Sequence, residues 1–487
     1  MLLLRTSEVK IMKVRYAFFI GLILTVFLPT QLAAQNYYDA LRLSIPGIGS
    51  NARALGMGNA YQALSDDFSA AIFNPAGFGL LRRLEIAGGI DYSKYENDAL
   101  FFGNMTEYSN SKTKLNQLSF AFPFPTIRGS MVFAIGYHRD VVFNEALSFR
   151  GFNPGANSMI QSLLGQGDVS YLLFLTDSTG ENTPINGQLD QEGTILADGS
   201  IGRWSFAGAV EVQKNMFIGA TVNVVTGDYQ RTRDYYEDDR RNIYGLNIET
   251  DPGNPNTADF QSFYLNDILK WDLSGWDAKV GFLFQPTNYL RFGGSVQFPT
   301  TYNIKEEYIV NGESIFARSS EVIDPPLESA LEYEISSPFI FSGGGAISLF
   351  GLIVSGDISY MDYSQMEFAG DGLSPTEISA NNKVIKETFK DVLNFNAGAE
   401  FTIPNIGLRL RGGFMYMPSP FKDDPSEFDR EYLTGGIGFL ADETVAIDAA
   451  YVYGYWKDIG DNYGYNESRT FQDITSQKLV LTFSYRF

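Results

Sequence analysis

The chain has 487 residues, a formal net charge of -21 and a mean hydropathy of -0.10. The acidic balance argues against a nucleic-acid partner, which requires a basic surface, and the mean hydropathy excludes a bundle of membrane helices. The sequence has no Cys and only one His, His138, so disulfides and thiolate metal sites are excluded. We therefore predict no metal and no cofactor. The 28 Tyr, 39 Phe and 48 Gly are typical of β-structure with aromatic girdles.

The N-terminus has the pattern of a secretory signal peptide. Lys13 and Arg15 precede an apolar run over 16–28, and small residues follow it up to Ala34. The run is shorter than the about 20 residues that a membrane helix needs. We predict cleavage after Ala34, with Met12 as a possible true start. An uncleaved anchor is the alternative.

A segment without strand-like alternation follows, and its centre is the stretch 51–80. Gly56 and Gly58 interrupt a helix at one end of this stretch, and Pro75 does so at the other. The segment therefore predicts compact, non-β structure ahead of a long β-region.

From Leu84 to Phe487 the sequence alternates between apolar and polar residues, as strands do. Short turns alternate with long polar stretches, which is typical of an outer-membrane barrel. Turn counting, guided in part by the family resemblance below, predicts an all-β, membrane-spanning antiparallel barrel of about fourteen strands. We place the strands at 84–95, 115–124, 129–142, 201–212, 216–228, 274–285, 289–303, 338–349, 351–364, 392–403, 407–417, 432–441, 445–457 and 476–487. An array of soluble β-sandwiches is the alternative fold.

A barrel of that size leaves a lumen that side chains alone do not fill. We expect the segment 35–83 to plug it from the periplasmic side. The predicted division is a signal peptide at 1–34, a hatch at 35–83 and the barrel at 84–487.

The stretch GMGNAYQALSDDFSAAIFNPAGF resembles the N-terminal hatch signature of the FadL/TodX family of outer-membrane transporters. LRLRGGFMYMPSPF and the final KLVLTFSYRF are also similar to that family, and the chain resembles a Bacteroidetes-like member. The resemblance implies a plugged barrel that takes up long-chain fatty acids or other hydrophobic molecules passively, without enzyme activity. Because a similar segment opens the PorV-like barrels of secretion systems, a scaffold or shuttle role is the alternative. We expect contact with outer-membrane lipid and a monomer.

The candidate hatch or gate residues are those whose backbone or side chains shape a tight segment. They are Gly56, Gly58, Asp66, Asp67, Asn74, Pro75, Ala76 and Gly77. The alternative is that these residues only fold the plug and hold it in place.

Polar-phase charges on the C-terminal strands predict a cluster in the lumen. Glu400 lies across a predicted hairpin from Arg409 and Arg411, so it is expected to pair with one of them. An arginine there suits capture of a ligand carboxylate. An ion-pair network that braces the barrel is the alternative.

An unusually apolar stretch lies in one long extracellular loop. Leu163, Leu164, Leu172 and Phe174 are its candidate residues for first capture of a hydrophobic ligand. A small loop core is the alternative. His138 falls on the polar phase of its strand, and only a Ser–His pair across the barrel would support an enzyme.

Overall fold

The computed structural model describes residues 36–165, 168–404, 406–442, 444–464 and 468–487. The predicted signal peptide and Gln35 lie outside the described residues. In the described part, no helix combines the length and apolar character needed to cross a bilayer.

The described strands form one antiparallel sheet. They are β1 (Glu85–Phe101), β2 (Asn104–Phe124), β3 (Met131–Val142), β4 (Glu145–Phe152), β5 (Asp190–Gln213), β6 (Met216–Asp238), β7 (Phe260–Thr287), β8 (Leu290–Gln297), β9 (Thr301–Phe316), β10 (Ser320–Val322), β11 (Leu327–Ser336), β12 (Ile340–Leu349), β13 (Leu352–Asp362), β14 (Glu367–Ala369), β15 (Asp391–Thr402), β16 (Leu408–Met417), β17 (Arg430–Ala441), β18 (Val445–Asp461) and β19 (Arg469–Arg486).

Fourteen of these strands close into a barrel, as predicted. Around the ring they run β1, β2, β3, β5, β6, β7, β8, β12, β13, β15, β16, β17, β18 and β19. β1 and β19 close the ring over a long ladder, from Glu85 opposite Arg486 to Leu100 opposite Phe471. Closure matters because an unpaired backbone N–H or C=O in hydrocarbon costs several kcal/mol.

One predicted strand is wrong in its outer half. The range 289–303 is not continuous, because β8 ends at Gln297 and β9 begins at Thr301. Pro299 lies between them and has no N–H to donate to a ladder. β9 turns away from the wall and pairs with the outer half of β7, while β11 pairs with β9. This second layer of strands extends beyond the barrel.

The region 144–200, expected to be a long loop, also contains strand. β4 pairs with the outer half of β5, from Glu145 opposite Ala197 to Phe152 opposite Asp190. The helices are short: α1 (Tyr37–Ser44), α2 (Ala52–Gly56), α3 (Met159–Ser162), α4 (Val169–Leu172) and α5 (Pro375–Thr388). Single 3₁₀ turns cover Phe68–Ala71, Pro75–Leu80, Pro255–Thr257, Tyr363–Gln365 and Ser426–Phe428.

The two faces of the wall follow the alternation in the sequence. On β1 and β19, Ile90 and Leu481 point outward and are 50% and 43% exposed, whereas Asp91 and Lys478 point inward and are buried. The outward apolar band faces lipid, and the inward face is polar.

Replacing Leu481 by arginine tests this orientation, because Leu481 lies near the middle of the outward band. We expect Leu481→Arg to lower the free energy of unfolding in lipid vesicles by about 2–4 kcal/mol. Thr475→Arg is the matched control, six residues nearer the loop end of the same strand face, and should cost about 0–1 kcal/mol. Equal losses, measured by denaturant titration, would contradict the assigned lipid face.

Candidate functional site

Residues 36–84, called the N-terminal segment below, lie inside the barrel and run along its length. At the short-turn end, Phe68 and Phe78 pack against the inner faces of β2, β3 and β5. At the long-loop end, α1 packs against the outer parts of β7, β9 and β11. The wall therefore encloses the segment along most of its height.

Inward-facing glycines let the segment lie directly on the strand backbones. A methyl group added to Gly281 on β7 would lie 2.1 Å from Asn74 Oδ1, and one on Gly293 would lie 2.1 Å from the Gln62 carbonyl oxygen. On β15, a methyl group on Gly398 would lie 2.0 Å from the Met57 carbonyl oxygen. No side chain fits at these contacts, so the glycines set how closely the segment docks.

The predicted gate glycines are needed for this close docking. Gly58 has a φ of +58°, and its Cα lies so near β16 that a methyl group would be 2.6 Å from the Phe414 nitrogen. A methyl group on Gly77 would be 2.0 Å from the Ser65 carbonyl oxygen, within the segment itself. Gly56 lies against Arg411 and Gly436. A role in gating stays a prediction for all three.

The turn Asn74–Pro75–Ala76 is fixed to the wall by Asn74. Its Oδ1 accepts from the Ala76 nitrogen at 3.1 Å, which caps the 3₁₀ turn that begins at Pro75. Its Nδ2 donates to the carbonyl oxygens of Gln62 and of Phe282 on β7, both at 2.9 Å. One buried side chain therefore joins two parts of the segment and a barrel strand.

The two predicted aspartates have different partners. Asp67 caps the turn Phe68–Ala71 by accepting from the Ser69 nitrogen at 2.8 Å. Asp66 forms ion pairs with Arg53 at 2.5 Å and with Arg291 of β8 at 3.6 Å. Burial alone would raise the pKa of Asp66, but the two arginines hold it below its usual value.

Beneath the segment's centre lies an ionic cluster, called the floor below. The predicted pair forms: Arg411 Nε donates to Glu400 at 2.6 Å, and its Nη1 donates to Asp448 at 2.6 Å. Arg53 also binds Glu400, at 3.1 Å, and so ties the segment into the cluster. Arg409 lines a small cavity of about 20 Å³ beside it. Because two wall carboxylates already occupy Arg411, this geometry favours the bracing alternative over ligand capture.

A larger cavity of about 150 Å³ lies between the segment and the middle strands. Arg203 reaches it and is held by Asp140, at 2.8 Å, and by Asp277. Lys279 donates to the Ile72 carbonyl oxygen of the segment. Sequence reasoning missed these charges, although the period-two phase of β5 and β7 places them on the inner face.

His138 also lines this cavity, and its Nδ1 lies 3.4 Å from the Ser205 hydroxyl. That hydroxyl donates to Asn223 Oδ1 at 2.7 Å, so its proton points away from the imidazole. The contact is therefore not the arrangement of a nucleophile and its general base.

Above the cavity, α1 fills the upper lumen. Leu41 and Leu43 are buried in an apolar cluster of inward side chains from the outer parts of β6 to β11. The Arg42 guanidinium lies 4.7 Å from the ring centre of Tyr229 and 5.6 Å from that of Trp271. An eight-residue helix therefore closes the lumen at the long-loop end.

The wall has a gap between β2 and β3. Their ladder stops at Gln117 opposite His138, whereas β2 continues along β1 as far as Asn104. β3 continues along β5 to Val142 after a bulge at Asp140. The gap lies beside the cavity, because Asp140 lines both.

The N-terminal segment touches the inner edge of this gap. A methyl group on Gly47 would lie 1.8 Å from the Asp140 carbonyl oxygen, and Asn116 Nδ2 donates to the Ser50 carbonyl oxygen at 2.9 Å. Above the gap, side chains bridge the strands, with Lys112 binding Asp198 at 2.9 Å. The opening is therefore bounded above by side chains and covered inside by the segment.

The apolar loop is partly a core and partly a surface. Leu163 packs against the buried cluster that includes Met159 and Ile160. Leu172 and Phe174 are 41% and 39% exposed, and Leu164 is half-buried. Exposed apolar side chains therefore do occur at the long-loop end, and a capture role for them stays a prediction.

Comparisons with known proteins identify relatives of this barrel. A profile of the family described as outer membrane protein transport protein (OMPP1/FadL/TodX) matches residues 200–487, more than half of the chain. The solved toluene transporter TodX of Pseudomonas putida is 14% identical over 90% of this chain and 99% of its own, with a TM-score of 0.54. A FadL homologue of Pseudomonas aeruginosa is 12% identical over 91% of this chain and 100% of its own, with a TM-score of 0.56. These likenesses show the shared fold. A search of curated proteins found no match.

Replacing Gly281 by valine tests the docking of the segment. The new side chain would occupy the position of Asn74 Oδ1, so Gly281→Val should release the segment and make it sensitive to protease. Gly435→Val is the matched control, because no atom lies within 4 Å of a methyl group there. We expect limited proteolysis to cut the N-terminal segment at least about tenfold faster in Gly281→Val, since a lost close contact costs more than about 1.4 kcal/mol. Equal cutting rates would show that the glycine contact does not hold the segment.

Proposed function

The chain belongs to the OMPP1/FadL/TodX family of outer membrane transport proteins, and we propose that it carries hydrophobic small molecules, such as long-chain fatty acids, inward by passive transport. The observation that carries this proposal is the gap between β2 and β3, which opens beside a cavity inside an otherwise closed wall. TodX, described as a toluene transporter, shares the fold.

Entry would begin at the exposed apolar side chains of the long-loop end. Leu172 and Phe174 offer a hydrophobic molecule its first contact outside the membrane. The apolar cluster around α1 is the next environment of the same kind. For a ligand to occupy it, α1 has to move, so the ligand must bind the displaced state more tightly than the closed one.

The floor makes exit toward the short-turn end costly. A molecule passing between the segment and β16 would separate Arg411 from Glu400 and Asp448, all of them buried. Leaving one buried charge without its partner costs about 3–5 kcal/mol. An apolar ligand offers these groups no replacement bonds.

The gap between β2 and β3 offers the cheaper exit. Its two edges lack a shared ladder from Asn116 and Arg139 outward, so no backbone hydrogen bonds between β2 and β3 need to break in the described part of the wall. Movement of the segment near Gly47 would uncover it. The ligand would then leave sideways into the bilayer, where its apolar part is soluble.

A PorV-like scaffold remains the second candidate, because the floor and α1 fill much of the lumen. Catalysis is not part of the proposal, since the Ser205 proton is directed to Asn223. Uptake separates the two candidates, because only a transporter raises the entry rate of a hydrophobic compound.

Uptake of radiolabelled oleate by cells that lack their own transporter tests the function. Cells with the full chain should take up oleate faster than cells without it. Arg42→Ala removes the stacking on Tyr229 and Trp271 and loosens α1. A cation–π contact is worth about 1 kcal/mol, so uptake should rise about fivefold.

Arg240→Ala is the control for that variant, because Arg240 is an exposed arginine paired with Asp238 at the surface. It should take up oleate at the rate of the unaltered chain. Uptake no faster than in cells without the protein would refute transport and favour the scaffold. An unchanged rate in Arg42→Ala would contradict the role of α1 alone.

Cross-linking across the gap tests the sideways exit. The natural sequence has no Cys, so Thr113→Cys and Val142→Cys place single thiols on the two edges of the gap. Bridging them with a bifunctional maleimide should reduce oleate uptake at least about tenfold, because the exit is closed. Each single-cysteine variant treated with the same reagent is the control. Full uptake by completely bridged protein would rule out this exit.

A further inference from the structure

Lys279 is a buried-side cation without an ionic partner. It points from β7 into the cavity of about 150 Å³, and its ammonium donates to the Ile72 carbonyl oxygen. Among the described residues it forms no ion pair. The other cation of this wall, Arg203, differs because Asp140 and Asp277 hold it. One positive charge in the cavity is therefore not balanced locally.

Asp357 is the complementary case on β13. It lines the same cavity and is only 3% exposed. Its Oδ2 accepts from the backbone nitrogens of Tyr61 and Gln62, at 2.5 and 2.8 Å, but in the described structure no cation pairs with it. Its Oδ1 has no hydrogen-bond partner among the described residues. One negative charge is therefore also unbalanced.

The two charges lie on separate parts of the wall. β8 and β12 stand between β7 and β13 in the ring, which places Lys279 and Asp357 three strand spacings apart. At about 4.8 Å per spacing this is about 14 Å along the wall. They therefore do not neutralise each other, and a group lying in the cavity meets a cation on one side and an anion on the other.

Two further buried atoms add to the acidic side of this site. Ser44 Oγ and Asn59 Oδ1 line the cavity and have no hydrogen-bond partner in the described part of the chain. Asn59 Oδ1 only accepts, so it suits an N–H or O–H donor, as Asp357 Oδ1 does. A buried polar group without a partner costs free energy, which a ligand with matching donors would recover.

We propose that the cavity binds a zwitterionic head group, with its anionic part at Lys279 and its ammonium at Asp357, Asn59 and Ser44. This inference rests on the proposed function, because it names the class of hydrophobic molecule that the transporter prefers. Such a ligand has an alkyl chain, which fits the apolar cluster above the cavity, and a head with both charges. A simple fatty acid satisfies only Lys279.

Both charged residues also bind the N-terminal segment, Lys279 through Ile72 and Asp357 through Tyr61 and Gln62. An anion at Lys279 would compete with the Ile72 carbonyl oxygen, two residues before Asn74. Binding of the head group would therefore loosen the segment beside the turn that fixes it to β7.

Binding of four compounds with the same alkyl chain tests the proposal. They are α-aminododecanoic acid with both charges, dodecanoic acid, dodecylamine and dodecanol. Affinities are measured on the full chain in a non-ionic detergent at neutral pH. We expect the zwitterion to bind at least about tenfold more tightly than each singly charged compound, since each charge-assisted hydrogen bond contributes at least that factor.

The variants assign each charge. Lys279→Met should abolish the preference for the zwitterion over dodecylamine, whereas Lys279→Arg should keep it. Asp357→Asn should abolish the preference over dodecanoic acid while retaining an acceptor for Tyr61 and Gln62. Lys383→Met, an exposed lysine on α5, is the control and should change nothing.

The outcomes separate this proposal from the proposed function. If the unaltered chain binds all four compounds equally, or binds dodecanoic acid best, the zwitterion proposal is wrong and transport of hydrophobic molecules still stands. Unchanged preferences in both Lys279→Met and Asp357→Asn would also overturn the assignment. If no compound binds, the proposed function itself fails.

Discussion

Pairing of the backbone around a closed ring is the interaction on which this structure depends. In hydrocarbon, a strand edge has no water to satisfy its N–H and C=O groups, so the first and last strands must meet. The ladder between β1 and β19 does this over sixteen residue pairs, from Glu85–Arg486 to Leu100–Phe471. Closure on this scale creates a lumen, and the lumen makes the N-terminal segment necessary.

The same requirement explains where the wall is allowed to open. β2 and β3 separate at two bulged residues, Asn116 and Asp140. The segment lies against both, with the Ser50 carbonyl oxygen bonded to Asn116 and Gly47 packed on Asp140. A gap in the ring is therefore tolerated where protein from inside covers it. The covering part belongs to the element that we propose moves during transport.

Much of the barrel could be predicted from the sequence, because period-two alternation is a direct consequence of strand geometry. The Glu400–Arg411 pair followed from the short hairpin between β15 and β16. The outer strand β9 did not, since its alternation is identical to that of a wall strand and only Pro299 marks the departure. Partners of an outer strand are set by long-range pairing, which alternation does not encode.

The candidate site was less predictable for the same reason. The hatch motif drew attention to Asn74 and the glycines around it, and these do pack tightly against the wall. The cavity charges Lys279 and Asp357 lie on strands far apart in sequence, and each looks like an ordinary lumen residue. Their significance comes from which partners they lack, and that depends on the whole ring. Arg53 was missed although it lies within the hatch, because its partner Glu400 is distant in sequence.

The central claim is that a ligand passes through the wall while the floor stays closed. Ion conductance of the purified chain in a planar lipid bilayer, recorded while oleate is added, tests this most directly. The account predicts no rise in conductance at oleate concentrations that saturate uptake, because ion pairs such as Arg411–Glu400 remain intact. A conductance that rises with oleate would show that the floor opens and would contradict a sideways exit.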